Sequence, residues 1–260
     1  MVLYFSGTGN SRWVAERLAI LTGDDMYGVA DVAANCPLPR ALDSEEPLGV
    51  VFPVYGWMPP EVMLRALERL PKEWMPRYFY MVCTCGDDTG KTARVFSRWV
   101  GRKGWHCDAA FSVTMPNTYV CLPGFDVDAE KVEHAKLAKA EHRMEEVARW
   151  VKDRTRMTDC HEGALPWLKT YVLGWFFKRF LMSPRPFHVT DECIGCGKCE
   201  RECPLHNVKM ENGHPRWGKN CAMCLACYHH CPKHAVAYGR STQGKGQYVF
   251  PANVLKAGEE

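Results

Sequence analysis

The chain has 260 residues, of which 47% are hydrophobic and 24% are charged, with a formal net charge of +3. This length leaves room for two compact domains, and the composition lets both bury a core. The small net charge argues against nucleic acid as a partner, because nucleic-acid-binding proteins usually carry a strong basic bias on one face.

A strand, a polar loop and a helix open the chain. Residues 2–5 are apolar, residues 6–11 read Ser-Gly-Thr-Gly-Asn-Ser, and a helix with apolar residues at helical spacing follows. Such a loop suits a phosphate, because its amides and hydroxyls point inward and the helix N-terminus adds partial positive charge. The loop has neither the lysine of an ATP-type P-loop nor the glycine pattern of a dinucleotide site. A purely structural turn is the alternative.

Strands and helices then alternate along the first half of the chain. Further strands are predicted at 26–29, 48–53, 77–83 and 107–115, and helices at 59–70, 89–100 and 128–154. Residues 37–47 read as a loop, so the helix expected after the second strand is short or missing. This alternation predicts an α/β fold, a doubly wound parallel sheet of five strands with helices on both faces.

Three loops follow the predicted strands at the sheet edge where ligands bind in such folds. Their candidate site residues are Pro53, Tyr55, Gly56 and Trp57 after the third strand, Thr84, Cys85, Gly86 and Asp87 after the fourth, and Asn117 and Tyr119 after the fifth.

Residues 6–11 resemble the FMN phosphate loop of flavodoxins. The resemblance implies a flavodoxin-like fold and FMN, with phosphate contacts from Ser6, Thr8, Gly9, Asn10 and Ser11. It also implies that Tyr55 and Trp57 stack on the isoalloxazine ring, and that the Gly56–Trp57 peptide responds to protonation at flavin N5. Glycine suits a peptide that flips, since it tolerates positive φ. Alternatively, Trp57 is an ordinary loop aromatic, and Cys83 and Cys85 are small residues in a tight loop.

Two cysteine runs organise the C-terminal part. Each reads C-x2-C-x2-C-x3-C-P, the bacterial spacing for [4Fe–4S] ligands. Three closely spaced thiolates reach one cube, whereas the fourth points away and binds the other cluster. The first predicted cluster is therefore held by Cys193, Cys196, Cys199 and Cys231, and the second by Cys221, Cys224, Cys227 and Cys203. Zinc sites and disulfides are the alternatives. Residues 186–240 resemble two-cluster bacterial ferredoxins.

An aromatic segment, residues 166–182, precedes these runs and a proline-containing linker, residues 183–186. It is short and charged for a membrane span. Packing between two domains is favoured, and contact with a membrane surface is the alternative. The predicted organisation is a flavodoxin-like domain at 1–156, a helical connector at 157–187, a ferredoxin domain at 188–240 and a tail at 241–260.

To about residue 240 the chain resembles the flavodoxin–ferredoxin fusion proteins of anaerobic bacteria, the EFR-type ferredoxin family. The resemblance implies electron transfer between FMN, two [4Fe–4S] clusters and redox partner proteins. No His, nucleophile or metal-water site has a convincing catalytic pattern. The alternatives are an FMN-dependent reductase acting on a small substrate and a two-cluster ferredoxin with a flavin-free docking domain. Met1 leads straight into a strand without a signal-peptide pattern, so a cytoplasmic location is expected.

Overall fold

The computed structural model describes residues 1–30, 43 and 45–251. In the N-terminal part, six parallel strands form one sheet in the order β2-β1-β3-β4-β5-β6. This order is that of flavodoxin-like doubly wound folds, extended by one edge strand. The strands are β1 Val2–Tyr4, β2 Met26–Gly28, β3 Leu48–Pro53, β4 Phe79–Cys85, β5 Ala109–Thr114 and β6 Thr158–Asp159.

Helices cover both faces of this sheet, and alternate residues of the central strand β4 show it. Phe79, Met81 and Cys83 pack into a core under the helices α2 Glu61–Arg69 and α3 Thr92–Arg102. Tyr80 and Val82 pack into the opposite core, under α1 Asn10–Thr22 and α4 Glu130–Lys152. All seven residues of β4 are buried, which explains its continuous apolar sequence.

The predicted α/β fold is confirmed, with corrections at its edges. The sheet has six strands rather than five, because Thr158 and Asp159 pair with Ala110 and Phe111 of β5. A two-residue strand has no periodic pattern in sequence. The fourth strand extends two residues beyond its predicted end, so Thr84 and Cys85 lie in β4 and not in the loop after it. The predicted loop at 37–47 lies largely outside the described residues.

A helix of unusual geometry follows the flavodoxin-like part. Residues 166–181 form one helical segment, in which α-helical turns at Pro166–Leu168 and Gly174–Phe176 alternate with π-helical turns at Lys169–Leu173 and Phe177–Leu181. We call this segment the aromatic helix. Within the described ranges, none of the helices combines the length and hydropathy needed to cross a membrane.

The C-terminal part is a small α+β unit. Strand β7 Phe187–Val189 pairs antiparallel with β10 Val236–Tyr238, and β8 Val208–Glu211 pairs with β9 His214–Trp217. Asn212 and Gly213 join β8 to β9, both with positive φ, as a two-residue hairpin turn requires. Two single-turn helices, α5 Lys198–Arg201 and α6 Ala226–His229, each contain the third cysteine of one run.

The chain then returns to the flavodoxin-like part. Residues 241–251, which we call the C-terminal strap, run from β10 across the loop after β5 and reach the N-terminus of α1. Phe250 stacks on Trp13 of α1 with ring centroids 5.4 Å apart, and both side chains are buried. The sequence suggested no role for these residues, and the structure makes them a bridge between the two parts.

Candidate functional site

The eight cysteines of the two runs gather in two groups of four. One small cavity is lined by Cys193, Cys196, Cys199 and Cys231, and another by Cys203, Cys221, Cys224 and Cys227. Each group takes three cysteines from one run and the fourth from the other. This is the interlocked arrangement that the spacing predicts, and all eight predicted thiols take part in it.

The chemistry of these cavities fits a cluster. Four thiols converge on each cavity, and the remaining lining is mostly apolar side chains and proline. The polar lining residues are Lys198 and Lys233 at the first cavity and Asn207 and Asn220 at the second. In the described ranges no three His, Cys, Asp or Glu side chains lie close enough to hold one metal ion. A cubane needs no such group, because each of its thiolates binds a different iron.

The two runs share one backbone conformation. The residue before the second cysteine and the residue after it both have positive φ, as Gly195 and Gly197 in the first run and as Met223 and Leu225 in the second. Positive φ is uncommon for side chains of this size. Met223 and Leu225 are buried and line a third, larger cavity. The second run therefore has strained backbone at the two positions whose side chains form part of the wall of that cavity.

Several cysteine sulfur atoms of the two groups accept hydrogen bonds, and some are buried. The Trp217 indole donates to Cys227 Sγ at 3.4 Å, and the backbone amides of Asn207 and Ala235 donate to Cys203 Sγ and Cys231 Sγ at 3.3 and 3.2 Å. Burial raises the pKa of the Cys224 thiol to about 12. A free thiolate is therefore disfavoured at Cys224 near neutral pH, and it needs the positive charge of bound iron.

The larger cavity lies at the carboxyl ends of β1, β3, β4 and β5 and encloses about 360 Å³, a size typical of small-molecule sites. Fourteen of the fifteen predicted cofactor residues line it: Ser6, Thr8, Asn10, Ser11, Pro53, Tyr55, Gly56, Trp57, Thr84, Cys85, Gly86, Asp87, Asn117 and Tyr119. Gly9 is the exception. Its φ of +105° turns the chain into α1, and it lies against Phe250 of the strap.

Some side chains of loop 6–11 have hydrogen-bond partners within the protein, and one does not. Ser6 Oγ accepts from the Gly9 amide at 3.2 Å, and Ser11 Oγ lies 2.7 Å from Thr84 Oγ1. Asn10 Oδ1 accepts from the Tyr248 hydroxyl at 2.7 Å. The Thr8 hydroxyl has no hydrogen-bond partner among the described residues, although Thr8 is only 6% exposed. The structure therefore leaves Thr8 available to a ligand and gives Asn10 a role in positioning the loop.

The loop after β3 is a tight turn. Tyr55 and Met58 form an antiparallel bridge, and Gly56 and Trp57 between them have φ values of 55° and 59°. The Trp57 indole donates to Asp88 Oδ1 at 2.9 Å, which fixes its ring beside the loop after β4. The hydrogen bond to the Asp88 carboxylate thus fixes the position of Trp57 in the cavity wall.

Two glycines allow close approach at this cavity. A Cβ on Gly86 would lie 1.6 Å from Asn117 Oδ1, so only glycine admits the Asn117 amide there. Asp128 in turn accepts from the Asn117 backbone amide at 3.0 Å. A Cβ on Gly174 of the aromatic helix would lie 2.4 Å from the Gly56 carbonyl oxygen. The Gly56–Trp57 peptide therefore packs directly under the aromatic helix.

The second thiol group touches loop 6–11. A Cβ on Gly7 would lie 2.6 Å from the Cys224 carbonyl oxygen and 3.2 Å from Cys224 Sγ. Cys224 and Leu225 line both the second thiol cavity and the larger cavity. The first thiol cavity shares no lining residue with the larger one. The second thiol group therefore adjoins the larger cavity, and the first thiol group does not.

His229 connects the second run to the larger cavity. Its Nε2 lies 2.8 Å from the Thr118 carbonyl oxygen, and its Nδ1 accepts from the Tyr248 amide at 3.1 Å. Burial lowers its pKa to about 4, so the ring is neutral and donates from Nε2. His229 is therefore a buried ring with a hydrogen bond at each nitrogen, and it joins the second run to the loop after β5 and to the strap.

The strap is expected to support this site through burial of Phe250. Phe250→Ala should lower the free energy of unfolding by about 3 kcal/mol, since it removes a buried ring stacked on Trp13. That loss corresponds to a fall in Tm of about 6–12 °C for a protein of this size. Thermal unfolding of the intact chain measures it. Val249→Ala is the matched control, because Val249 is a 40% exposed neighbour; equal shifts for both variants would refute the role of Phe250.

Comparisons with known proteins agree with these features in part. Residues 192–236 match the 4Fe-4S dicluster domain family, so the C-terminal part of the chain contains a ferredoxin domain of this kind. No curated protein matches the chain.

Solved structures similar to this chain cover about half of it at low sequence identity. A candidate flavoprotein from Bacteroides eggerthii is 18% identical over 54% of this chain and 96% of its own, with a TM-score of 0.33. A candidate flavoprotein from Bacteroides uniformis is 14% identical, over 52% and 95%, with a TM-score of 0.34. The Trp repressor binding protein from Bacillus subtilis is 14% identical, over 57% and 96%, with a TM-score of 0.37.

Proposed function

We propose that this protein is an electron-transfer protein of the flavodoxin–ferredoxin fusion type. In this proposal it carries two [4Fe–4S] clusters and FMN, and it exchanges electrons with partner redox proteins. The observation that carries the proposal is the contact of Cys224, a ligand candidate of the second cluster, with Gly7 of the phosphate loop. A flavin in the larger cavity would thus share a wall with that cluster. The similarity of residues 186–240 to ferredoxins and of loop 6–11 to flavodoxins points the same way.

Each group of residues has a defined task in this proposal. Flavin and clusters supply the redox chemistry, and the protein fixes their positions, burial and hydrogen bonds. The Thr8 hydroxyl and the first amides of α1 would bind the phosphate. Residues 53–57, 84–87 and 117–119 would surround the ring, with Tyr55 and Trp57 against it. The Trp217 indole and the backbone amides at the sulfur atoms stabilise negative charge on the second thiol group and the first.

The residues between the second thiol group and the larger cavity support direct electron transfer between a cluster and a flavin bound there. Met223 and Leu225 place apolar side chains between the second thiol group and the larger cavity. Cys224, between them, lines both cavities, so a flavin in the larger cavity would be separated from the second cluster by these side chains. Tyr55 lies on the same wall, and burial raises its pKa well above the ordinary value, so it is neutral.

The composition of the anaerobically purified protein tests the proposal. We expect about eight irons, about eight sulfides and about one FMN per chain, with flavin absorbance bleached when the clusters are reduced. Eight irons without flavin, even after FMN is added, would contradict the proposal and favour a two-cluster ferredoxin with a flavodoxin-shaped docking domain. Fewer than four irons would contradict the cluster assignment itself.

An FMN-dependent reductase acting on a small substrate is the second candidate. It is favoured by charged groups in the larger cavity: Asp87, Asp88 and Lys169 line it, and Lys169 pairs with Asp88. An electron carrier that exchanges electrons only with proteins needs no charged side chains inside its flavin cavity. Saturable turnover of small electron acceptors, lost when Lys169→Met leaves flavin content unchanged, would favour the reductase.

A further inference from the structure

The aromatic helix presents an apolar face that no described residue covers. Six side chains on this face are between 43% and 60% exposed: Trp167, Val172, Leu173, Trp175, Phe176 and Phe180. Large aromatic side chains exposed together mark an interaction surface, since a single domain gains nothing from leaving them in water. None of these six side chains lines a thiol cavity or the larger cavity. The opposite side of the helix forms the roof of the larger cavity through Lys169 and Phe177.

The inner face fixes the orientation of the helix. Thr170 Oγ1 accepts from the Lys91 amide at 2.8 Å, and Gly174 lies against the Gly56 carbonyl group. Phe177 packs on Gly56 and makes an edge contact with Tyr119 at 5.4 Å. The helix therefore cannot rotate to bury its outward residues without losing these contacts. The prediction that this segment packs between domains describes its inner face alone.

The charged residues of the segment that carries this face all have one sign. Residues 163–190 contain four basic residues, Lys169, Lys178, Arg179 and Arg185, and no Asp or Glu. Lys169 points inward to Asp88. Lys178 is 57% exposed, with Glu61 of α2 at 3.5 Å, and the Arg179 guanidinium lies over the Phe180 ring at 5.1 Å. An aromatic face with cations at its end and no acidic residue of its own complements an anionic surface.

We propose that the outward face of the aromatic helix binds the surface of a membrane containing anionic lipid. Trp and Phe side chains occupy the headgroup level, where their partly polar, partly apolar surroundings suit them. Lys178 and Arg179 contact lipid phosphates, and each adds electrostatic attraction. The helix lies along the membrane, and the roof of the larger cavity then faces the bilayer. This binding does not depend on whether the cavity holds a flavin.

Sedimentation of the full chain with lipid vesicles tests the proposal. The cofactor-loaded protein is mixed with vesicles of phosphatidylcholine alone or of phosphatidylcholine with phosphatidylglycerol. We expect binding to the anionic vesicles and weak binding to the neutral ones. Trp175→Gln combined with Phe176→Gln should weaken binding to the anionic vesicles at least about tenfold. Lys178→Gln combined with Arg179→Gln should weaken it about 10- to 30-fold and leave binding to neutral vesicles unchanged.

A matched control separates this face from exposed apolar residues in general. Ile20→Gln combined with Met75→Gln changes two apolar residues that are 65% and 61% exposed elsewhere on the molecule, and it should bind as the wild type does. Iron content equal to that of the wild type shows that each variant is folded. No vesicle binding by the wild type, or equal binding by the Trp175/Phe176 variant, would overturn the proposal. A dimer that this variant abolishes, without vesicle binding, would assign the face to a second copy of the chain.

Discussion

Replacing Cys203 and Cys224 together with Ala should leave about four irons per chain and one intact [4Fe–4S] cluster. The two thiols belong to different runs of the sequence, but they line the same cavity. The other cavity keeps all four of its thiols in this variant. Iron and sulfide analysis, together with the electron paramagnetic resonance signal of the reduced protein, measures the expected half-loading.

The converse double variant is the matched control. Cys196→Ala combined with Cys231→Ala also removes one thiol from each run, and it should also leave about four irons, now in the second group. If each run held its own cluster, both variants would damage both clusters, and neither would keep an intact one. That outcome would refute the interlocked assignment.

The cysteine site was predictable because short-range spacing determines it. Within each run the first three cysteines are three residues apart, so the local backbone brings those three thiols together. The fourth is four residues further on and points to the other group. The loops around the larger cavity were predictable for a related reason. They follow parallel strands, and the carboxyl ends of parallel strands meet at one edge of the sheet. Pro53, Thr84 and Asn117 are distant in sequence, but they line one cavity because each lies at or just after the carboxyl end of a parallel strand.

The strap was not predictable because its contacts span almost the whole chain. Tyr248 and Asn10 are 238 residues apart and form a hydrogen bond. Residues 241–247 contain glycine, lysine and glutamine without helix or strand periodicity, so no pattern indicated that they are ordered. One signal was present in the sequence: Tyr248, Val249 and Phe250 form an apolar run directly after residues 241–247, which are Ser, Thr, Gln, Gly and Lys.

Two smaller features of the ferredoxin part also have signals in the sequence. Asn212-Gly213 is the pair typical of a two-residue hairpin turn, and it joins β8 to β9. Met223 and Leu225 replace the glycines of the first run at equivalent positions. A large side chain at a position of positive φ indicates that its surroundings require it, and here the requirement is the wall of the larger cavity.

Thr8→Val should weaken FMN binding about 10- to 150-fold. Valine has nearly the shape of threonine, so the change removes one hydroxyl and little else. In the proposal this hydroxyl, which has no partner among the described residues, donates to the flavin phosphate. A hydrogen bond to a charged group contributes about 1.5–3 kcal/mol, which sets the expected range of the change in Kd. Titration of flavin-free protein with FMN, followed by flavin fluorescence, measures it.

Riboflavin and a second variant make this test specific to the phosphate. Riboflavin has the same ring but no phosphate, so Thr8→Val should leave its Kd within about twofold of the wild-type value. Thr118→Val alters another threonine of the same cavity and should change neither Kd by more than about twofold. Equal weakening of FMN and riboflavin by Thr8→Val would show that the residue only shapes the loop, and no change in either would place the phosphate elsewhere. Asn10→Ala should weaken both ligands and lower the Tm, because its side chain links the loop to Tyr248 and to the Pro116 carbonyl group rather than to a phosphate.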